Sequence, residues 1–190
     1  TTRTALVPYA LVGVISPWNF PLTLSLIDAI PALAAGSAVL IKPSEITPRF
    51  AAPLAAAIAE VPALAAVLAL VDGDGAAGAA LVGVSDYIAF TGSVATGRKV
   101  GEAAAKAFIP ASLELGGKDP MIILADADPE KAAKIALRAS VLNNGQACQS
   151  IERIYVARAI AEPFLAALVA DAQAARLNYP DINQGEIGPF

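Results

Sequence analysis

The amino-acid sequence predicts an α/β fold: an open parallel sheet with helices on both faces, followed by the first part of a second α/β domain. Three observations predict it. Short Val- and Ile-rich runs alternate with longer Ala-rich segments, the pattern of strand–helix–strand units. Runs such as Val39-Leu40-Ile41 are apolar at every position, as strands covered on both faces require. The texture then shifts beyond Glu114-Leu115-Gly116-Gly117, which places a domain boundary there.

In chain order, strands are expected at residues 10–16, 38–42, 67–71 and 87–90, each leading into a helix. The helices are expected at 22–35, 48–59, 76–82 and 94–108. Gly36 and Ser37 stop the first of them, and Thr47-Pro48 opens the second with an N-cap residue followed by proline. A further strand ends at Glu114. Past the boundary, 121–124 reads as a strand, and Asp126-Ala127-Asp128-Pro129 is an acidic start for a helix to about Asn143. A strand at 154–156, a helix at 161–176 and a polar, turn-rich stretch from 178 to 190 complete the chain. Residues 1–116 are thus expected to form a Rossmann-like domain, and residues 117–190 to belong to a second α/β domain.

Composition excludes several functions. The 190 residues include no His and one Cys, Cys148. An imidazole-based triad, a histidine metal site and an intrachain disulfide are therefore ruled out, and a reducing, cytoplasmic compartment is expected. With 13 Lys+Arg against 17 Asp+Glu the net charge is −4, so nucleic acid is not an expected partner. The mean hydropathy of +0.61 owes much to alanine, at 44 of 190 positions. The longest apolar stretch, residues 51–71, holds Glu60, Pro53 and Pro62. A membrane span needs about 20 strongly apolar residues, so none is expected. Thr1-Thr2-Arg3-Thr4 has no signal-peptide pattern.

Five segments carry candidate chemistry. Pro17-Trp18-Asn19-Phe20-Pro21 follows the first strand, where ligands bind in open α/β sheets. Asn19 offers an amide donor for a developing oxyanion; a rigid turn with two buried aromatics is the plainer alternative. Lys42-Pro43-Ser44-Glu45 ends the second strand, and a Lys and a Glu three residues apart suit the hydroxyls of a ribose, or simply a solvated strand end. Phe90-Thr91-Gly92-Ser93 lies at the next junction. A helix start there is a plausible pyrophosphate site, although a simple N-cap suffices and the sequence is taken to lack a G-x-G-x-x-G fingerprint. Glu114-Leu115-Gly116-Gly117-Lys118 joins a carboxylate to a flexible turn. Asn144-Gly145-Gln146-Ala147-Cys148 places the thiol in a Gly-containing turn, either as an inert buried Cys or as a reactive one.

Taken in order, PWNFP, KPSE, FTGS, ELGGK and GQAC, the last 34 residues after the glutamate, closely resemble the motif series of the aldehyde dehydrogenase superfamily over essentially the whole chain. The resemblance implies oxidation of a small-molecule aldehyde to a carboxylic acid with NAD(P)+, with residues 117–190 opening the catalytic domain. By the resemblance Cys148 is the nucleophile, Asn19 and the Cys148 backbone N–H hold the oxyanion, and Glu114 activates the hydrolytic water. It also assigns Lys42 and Glu45 to the adenosine ribose of the cofactor, Gly92 and Ser93 to its pyrophosphate region, and Leu115 and Gly116 to the nicotinamide, with Ser44 and Gly75 as further cofactor-binding residues. It implies too that residues 1–116 lack the N-terminal part of the family's cofactor domain. Ser16 and Trp18 would line the cleft through their backbones. Glu45 argues for NAD, since a carboxylate there repels a 2′-phosphate, with NADP possible. No metal is implied, and the full-length enzyme is expected to be a homo-oligomer. The ribose-gripping glutamate and the rest of the family's catalytic sheet would lie beyond this sequence. Two other functions therefore compete for the isolated chain: a non-catalytic nucleotide-binding module and a structural remnant.

Overall fold

A computed structural model describes residues 2–185 and 187–188. The chain divides into two compact units between Leu115 and Gly116. The first is built on five parallel strands, β1 (Leu11–Ile15), β2 (Ala38–Lys42), β3 (Leu68–Leu70), β4 (Tyr87–Thr91) and β5 (Ala111–Glu114). Their order in the sheet is β3-β2-β1-β4-β5. Val14 pairs with Ile41 on one side of β1 and with Ala89 on the other.

Alternation along each strand sorts the side chains into two cores. Val12, Val14, Val39, Ile41 and Ala89 face α1 (Pro21–Leu26), α2 (Ala29–Ala35), α3 (Ala51–Ala59) and α4 (Pro62–Ala65). Ile15, Ile88 and Phe90 face α5 (Gly75–Val84) and α6 (Val94–Ala107). The chain thus runs from β1 outward to β3 over one face and returns through β4 to β5 over the other.

Helices differ from expectation where proline intervenes. The single helix expected over 22–35 is two, α1 and α2, because Pro31 has no N–H to give the Ile27 carbonyl and its ring crowds that carbonyl. Pro31 instead falls in the first turn of α2, where a missing donor costs nothing. Pro53 acts likewise: a 3₁₀ turn, Pro48–Phe50, precedes α3. The short α4 was not expected; Pro62 opens it. Gly36 ends α2 at φ +102°, and the Gly36 and Ser37 N–H groups cap the last carbonyls, as a left-handed C-cap does. Gly75 is the first residue of α5, and Asp74 caps it through Ala76 N–H at 2.9 Å.

The second unit pairs β6 (Asp119–Ile123) with β7 (Ile151–Val156) in parallel, and packs α7 (Pro129–Val141) and α8 (Ala161–Ala174) on them. Ile123, Ala132, Ala133, Ala136 and Phe164 form its core. Asp128 caps α7 through the N–H groups of Glu130 and Lys131. The helix stops at Val141, short of the expected Asn143. The turn-rich stretch expected from 178 is tied back to Leu177 by the bridge Leu177–Ile187, and its residues 186, 189 and 190 lie outside the described residues. No helix among the described residues is long and apolar enough to cross a membrane.

Gly13, at the middle of β1, tests the packing. A Cβ there would lie 2.5 Å from Ser85 Oγ and 2.6 Å from Ile88 Cδ1. Gly13→Ala is expected to destabilise the first unit by roughly 1–3 kcal/mol, the usual cost of overpacking a filled core. A urea midpoint unchanged from wild type would contradict this close approach.

Candidate active site

Because the five strands are parallel, their carboxyl ends lie along one edge of the sheet, and the candidate segments of the first unit follow from those ends. The PWNFP loop leaves β1, and Thr91-Gly92-Ser93 leaves β4, its sheet neighbour. One connection crosses to each face, so the loops part at this point, the usual ligand crevice of an open α/β sheet.

The PWNFP loop is anchored at its base and near its middle. Ser16 is buried, and its N–H donates to Lys42 O at 3.1 Å. Trp18, 41% exposed, accepts Thr47 Oγ1–H on its carbonyl at 2.9 Å. Thr47 thus spends its side chain on this loop and not on capping the turn it opens, which has no side-chain cap. Phe20 N–H donates to Asn19 Oδ1 at 3.1 Å, which orients the Asn19 amide with its NH2 as the donating end. Neither aromatic of the loop is fully buried, so the plainer alternative of a turn pinned by two buried rings does not describe it.

At the end of β2 the Lys42 side chain is 6% exposed, and its Nζ lies 2.7 Å from Glu45 Oε2, whose side chain is 56% exposed. A buried ammonium needs such a partner. The Lys42 hydrogen bond, then the Glu45 backbone N–H, hold the Glu45 carboxyl below its ordinary range. Ser44 Oγ accepts Ile46 N–H at 3.3 Å and closes the turn between them.

Two helix starts face the same edge. Ser93 caps α6 through Thr96 N–H at 3.2 Å. Gly92 is required there, since a Cβ would meet the Phe90 ring at 2.7 Å. The other start corrects an expectation: the chain does hold a G-x-G-x-x-G, at Gly73-Asp74-Gly75-Ala76-Ala77-Gly78, between β3 and α5. Gly73 has φ +145°, and nothing lies within 4 Å of a Cβ at Gly75. The spacing alone could have revealed it, strand before and helix after.

Glu114, exposed, ends β5 beside Thr91. Leu115 packs into the second core, where a Cβ on Gly97 would lie 2.6 Å from its Cδ2. Asp28, which sequence reasoning did not single out, sits half-buried between α1 and α2 with no cap to make. Burial, and then the charge of Glu114, raise its carboxyl above the ordinary carboxylate range.

Gly116 opens the second unit, with open space where a side chain would be. Cys148 is exposed, which removes the inert buried alternative. Three successive left-handed residues, Asn143, Asn144 and Gly145, turn the chain ahead of it, the residue types that tolerate positive φ. Cys148 Sγ donates to Gln149 Oε1 at 3.2 Å. A Cβ on Gly117 would fall 3.6 Å from Cys148 O and 2.8 Å from Asp119 Oδ1, so glycine permits a close approach there. Lys118 of the same segment pairs with Glu152.

Comparison with known proteins places these segments in context. The family model described as aldehyde dehydrogenase family matches residues 1–190. A Mycolicibacterium smegmatis protein named for succinate-semialdehyde dehydrogenation with NADP(+) is 47% identical over 171 residues, covering 90% of this chain and 33% of that protein. PutA of Anabaena variabilis, named as an aldehyde dehydrogenase, superposes with a TM-score of 0.93 at 59% identity, over 98% of this chain and 40% of that one. 3,6-anhydro-L-galactose dehydrogenase, solved in complex with NAP, superposes with a TM-score of 0.89 at 35% identity, over 96% and 39% respectively. The chain spans about a third of the length of the curated relatives it matches.

The pair Asp28 and Glu114 makes a pH test. A carboxyl raised in the folded state favours folding while protonated, and that contribution is lost as pH rises through its folded value. Asp28→Asn is therefore expected to stabilise the first unit at pH 7, with the gain shrinking toward pH 4. Thermal midpoints across this range check it, and a gain that grows on acidification would refute the assignment.

Proposed function

The chain belongs to the aldehyde dehydrogenase family, and from that premise we propose that it carries the cofactor-binding sheet and the nucleophile of an enzyme that oxidises an aldehyde to a carboxylic acid with NAD(P)+. The observation that carries the proposal is the gathering of the PWNFP, KPSE, G-x-G-x-x-G and FTGS segments and Glu114-Leu115 at one edge of one parallel sheet.

The residues present fit a dinucleotide. Lys42 and Glu45 end a strand as a polar pair suited to ribose hydroxyls, with Ser44 closing the turn between them. Gly92 and Ser93 start a helix of 14 residues, whose positive end and unshared N–H groups favour phosphate oxygens. Gly75 begins a second such helix with nothing at its Cβ position to obstruct a ligand. The backbones of Ser16 and Trp18 and the residues Leu115 and Gly116 complete the assignment. The ionised, exposed Glu45 carboxylate repels a 2′-phosphate and so favours NAD. The relative named for NADP(+) makes NADP the second candidate, and the ratio of kcat/KM for the two separates them.

When bound, the dinucleotide supplies a hydride acceptor. Cys148 attacks the aldehyde carbonyl as a thiolate, and the Asn19 NH2 group and the Cys148 N–H share the oxyanion. Loss of hydride leaves an acyl thioester on Cys148. Glu114 removes a proton from water, which attacks the thioester and frees the acid. A thiol nucleophile must stay reduced, which suits a cytoplasmic setting.

The roles are separable in the enzyme that contains this chain. Cys148→Ala is expected to abolish both reduced cofactor and the covalent acyl species. Glu114→Gln is expected to retain a burst of reduced cofactor stoichiometric with enzyme, followed by a steady state lower by about 10²-fold or more. Unchanged steady-state hydrolysis in Glu114→Gln, measured by stopped flow, would remove Glu114 from the mechanism.

A further inference from the structure

Two buried serines flank the PWNFP loop. Ser25 is 0% exposed and Ser16 5%. Alanine would fill either position with almost the same volume, and a buried hydroxyl is tolerated only when its hydrogen bonds are made. Here they are made to each other and to the loop. Ser25 Oγ donates to Pro21 O at 2.6 Å, a bond from a helical serine to the carbonyl four residues back. Ser16 and Ser25 Oγ lie 2.6 Å apart. A hydroxyl has one proton, and that of Ser25 is committed to Pro21, so Ser16 is the donor to Ser25.

The relay runs Ser16 O–H to Ser25 O–H to Pro21 C=O. It ties the last residue before the loop to the residue that closes it, across Pro17, Trp18, Asn19 and Phe20. We propose that Ser25, with Ser16, is a positioning device for Asn19: a buried clamp that fixes the loop base to β1, so that the Asn19 NH2 group is held where the oxyanion develops. Ser16 thus contributes through its side chain, turned into the core, as well as through its backbone. Pro17 and Pro21 stiffen the loop but constrain only their own φ angles and the residue before each. The Thr47–Trp18 bond holds the other side, and the clamp supplies the remaining point of attachment. The inference rests on the oxyanion role given to Asn19 above.

Hydrogen exchange and kinetics test it together in the enzyme that contains this chain. Ser25→Ala removes both links. Ser16→Ala removes one and leaves no donor unpaired, so it is the milder variant should Ser25→Ala fold poorly. Ser85→Ala is the control: it deletes a buried hydroxyl that donates to Leu81 O at 2.8 Å, on the opposite face of the sheet. The Phe20 and Leu24 amides, protected by Asn19 Oδ1 and Phe20 O, are expected to exchange about tenfold faster in Ser25→Ala, as suits a lost buried hydrogen bond. The effect is expected to be smaller in Ser16→Ala and absent in Ser85→Ala. The kcat of Ser25→Ala is expected to fall about tenfold or more, as misplacing a catalytic group does, while KM for the dinucleotide changes little. Adding Ser25→Ala to Asn19→Ala is expected to cost nothing further, since one acts through the other.

Exchange that is unchanged in both serine variants, or raised equally by Ser85→Ala, overturns the clamp. Faster exchange with unchanged kcat, or a full additional loss in the Asn19→Ala background, overturns its positioning role. An Asn19→Ala enzyme of normal kcat faults the oxyanion assignment instead, and the exchange rates then judge the clamp by themselves.

Discussion

Strand β1 lies at the centre of its sheet, and the arrangement of the first unit depends on that pairing. Its backbone is bonded on both sides, to β2 and to β4, and its faces are covered by two different sets of helices. A strand so enclosed admits no polar side chain, and Leu11-Val12-Gly13-Val14-Ile15 has none. The chain departs from β1 in one direction and returns past it in the other, so the connections after β1 and β4 leave toward opposite faces, the topology at which open α/β sheets bind ligands. Crowding at this centre also explains Gly13, where α5 and its terminal Ser85 come too close for a Cβ.

Charge at that edge is arranged in two ways. Lys42 is nearly enclosed by the protein, and a lone buried ammonium would be costly. The tight turn through Pro43 and Ser44 brings Glu45 back to it, so the pair forms from residues three apart. Glu114 and Asp28 are the opposite case. They carry like charge from segments distant in the chain, and the half-buried member is pushed toward its neutral form. One arrangement holds a carboxylate ionised beside a cation; the other raises a carboxyl through burial first and a neighbouring carboxylate second.

In the second unit the nucleophile candidate depends on backbone conformation more than on packing. Asn143, Asn144 and Gly145 all adopt positive φ, a run that β-branched residues would resist. Asn143 Nδ2 donates to Gln146 O at 3.3 Å, and Asn144 Oδ1 accepts Gly188 N–H at 2.9 Å, so the turn is held from both sides. Cys148 is thereby delivered to the surface by a turn whose residue types are specified at the positions that need them.

Much of this was visible in the amino-acid sequence, because the signals involved are local. Strand–helix alternation, the caps Asp128 and Ser93, the stop at Gly36 and the motif segments each depend on residues within a few positions of one another. The G-x-G-x-x-G at Gly73–Gly78 is equally local, with a strand before it and a helix after it. Pro31 and Pro53 were also in plain view, but whether each ends a helix or merely begins one depends on where the first turn falls. Other features had no local signal at all. Nothing near Ser25 in the chain shows that its hydroxyl meets Ser16 in the core, nor that Thr47 reaches Trp18 instead of capping its own turn. Nothing near Asp28 shows that it senses Glu114, 86 residues away. Those pairings exist only once the strands have taken the order β3-β2-β1-β4-β5. Hydrogen bonds and fields act over ångströms of space, whereas the sequence records distance only along the chain.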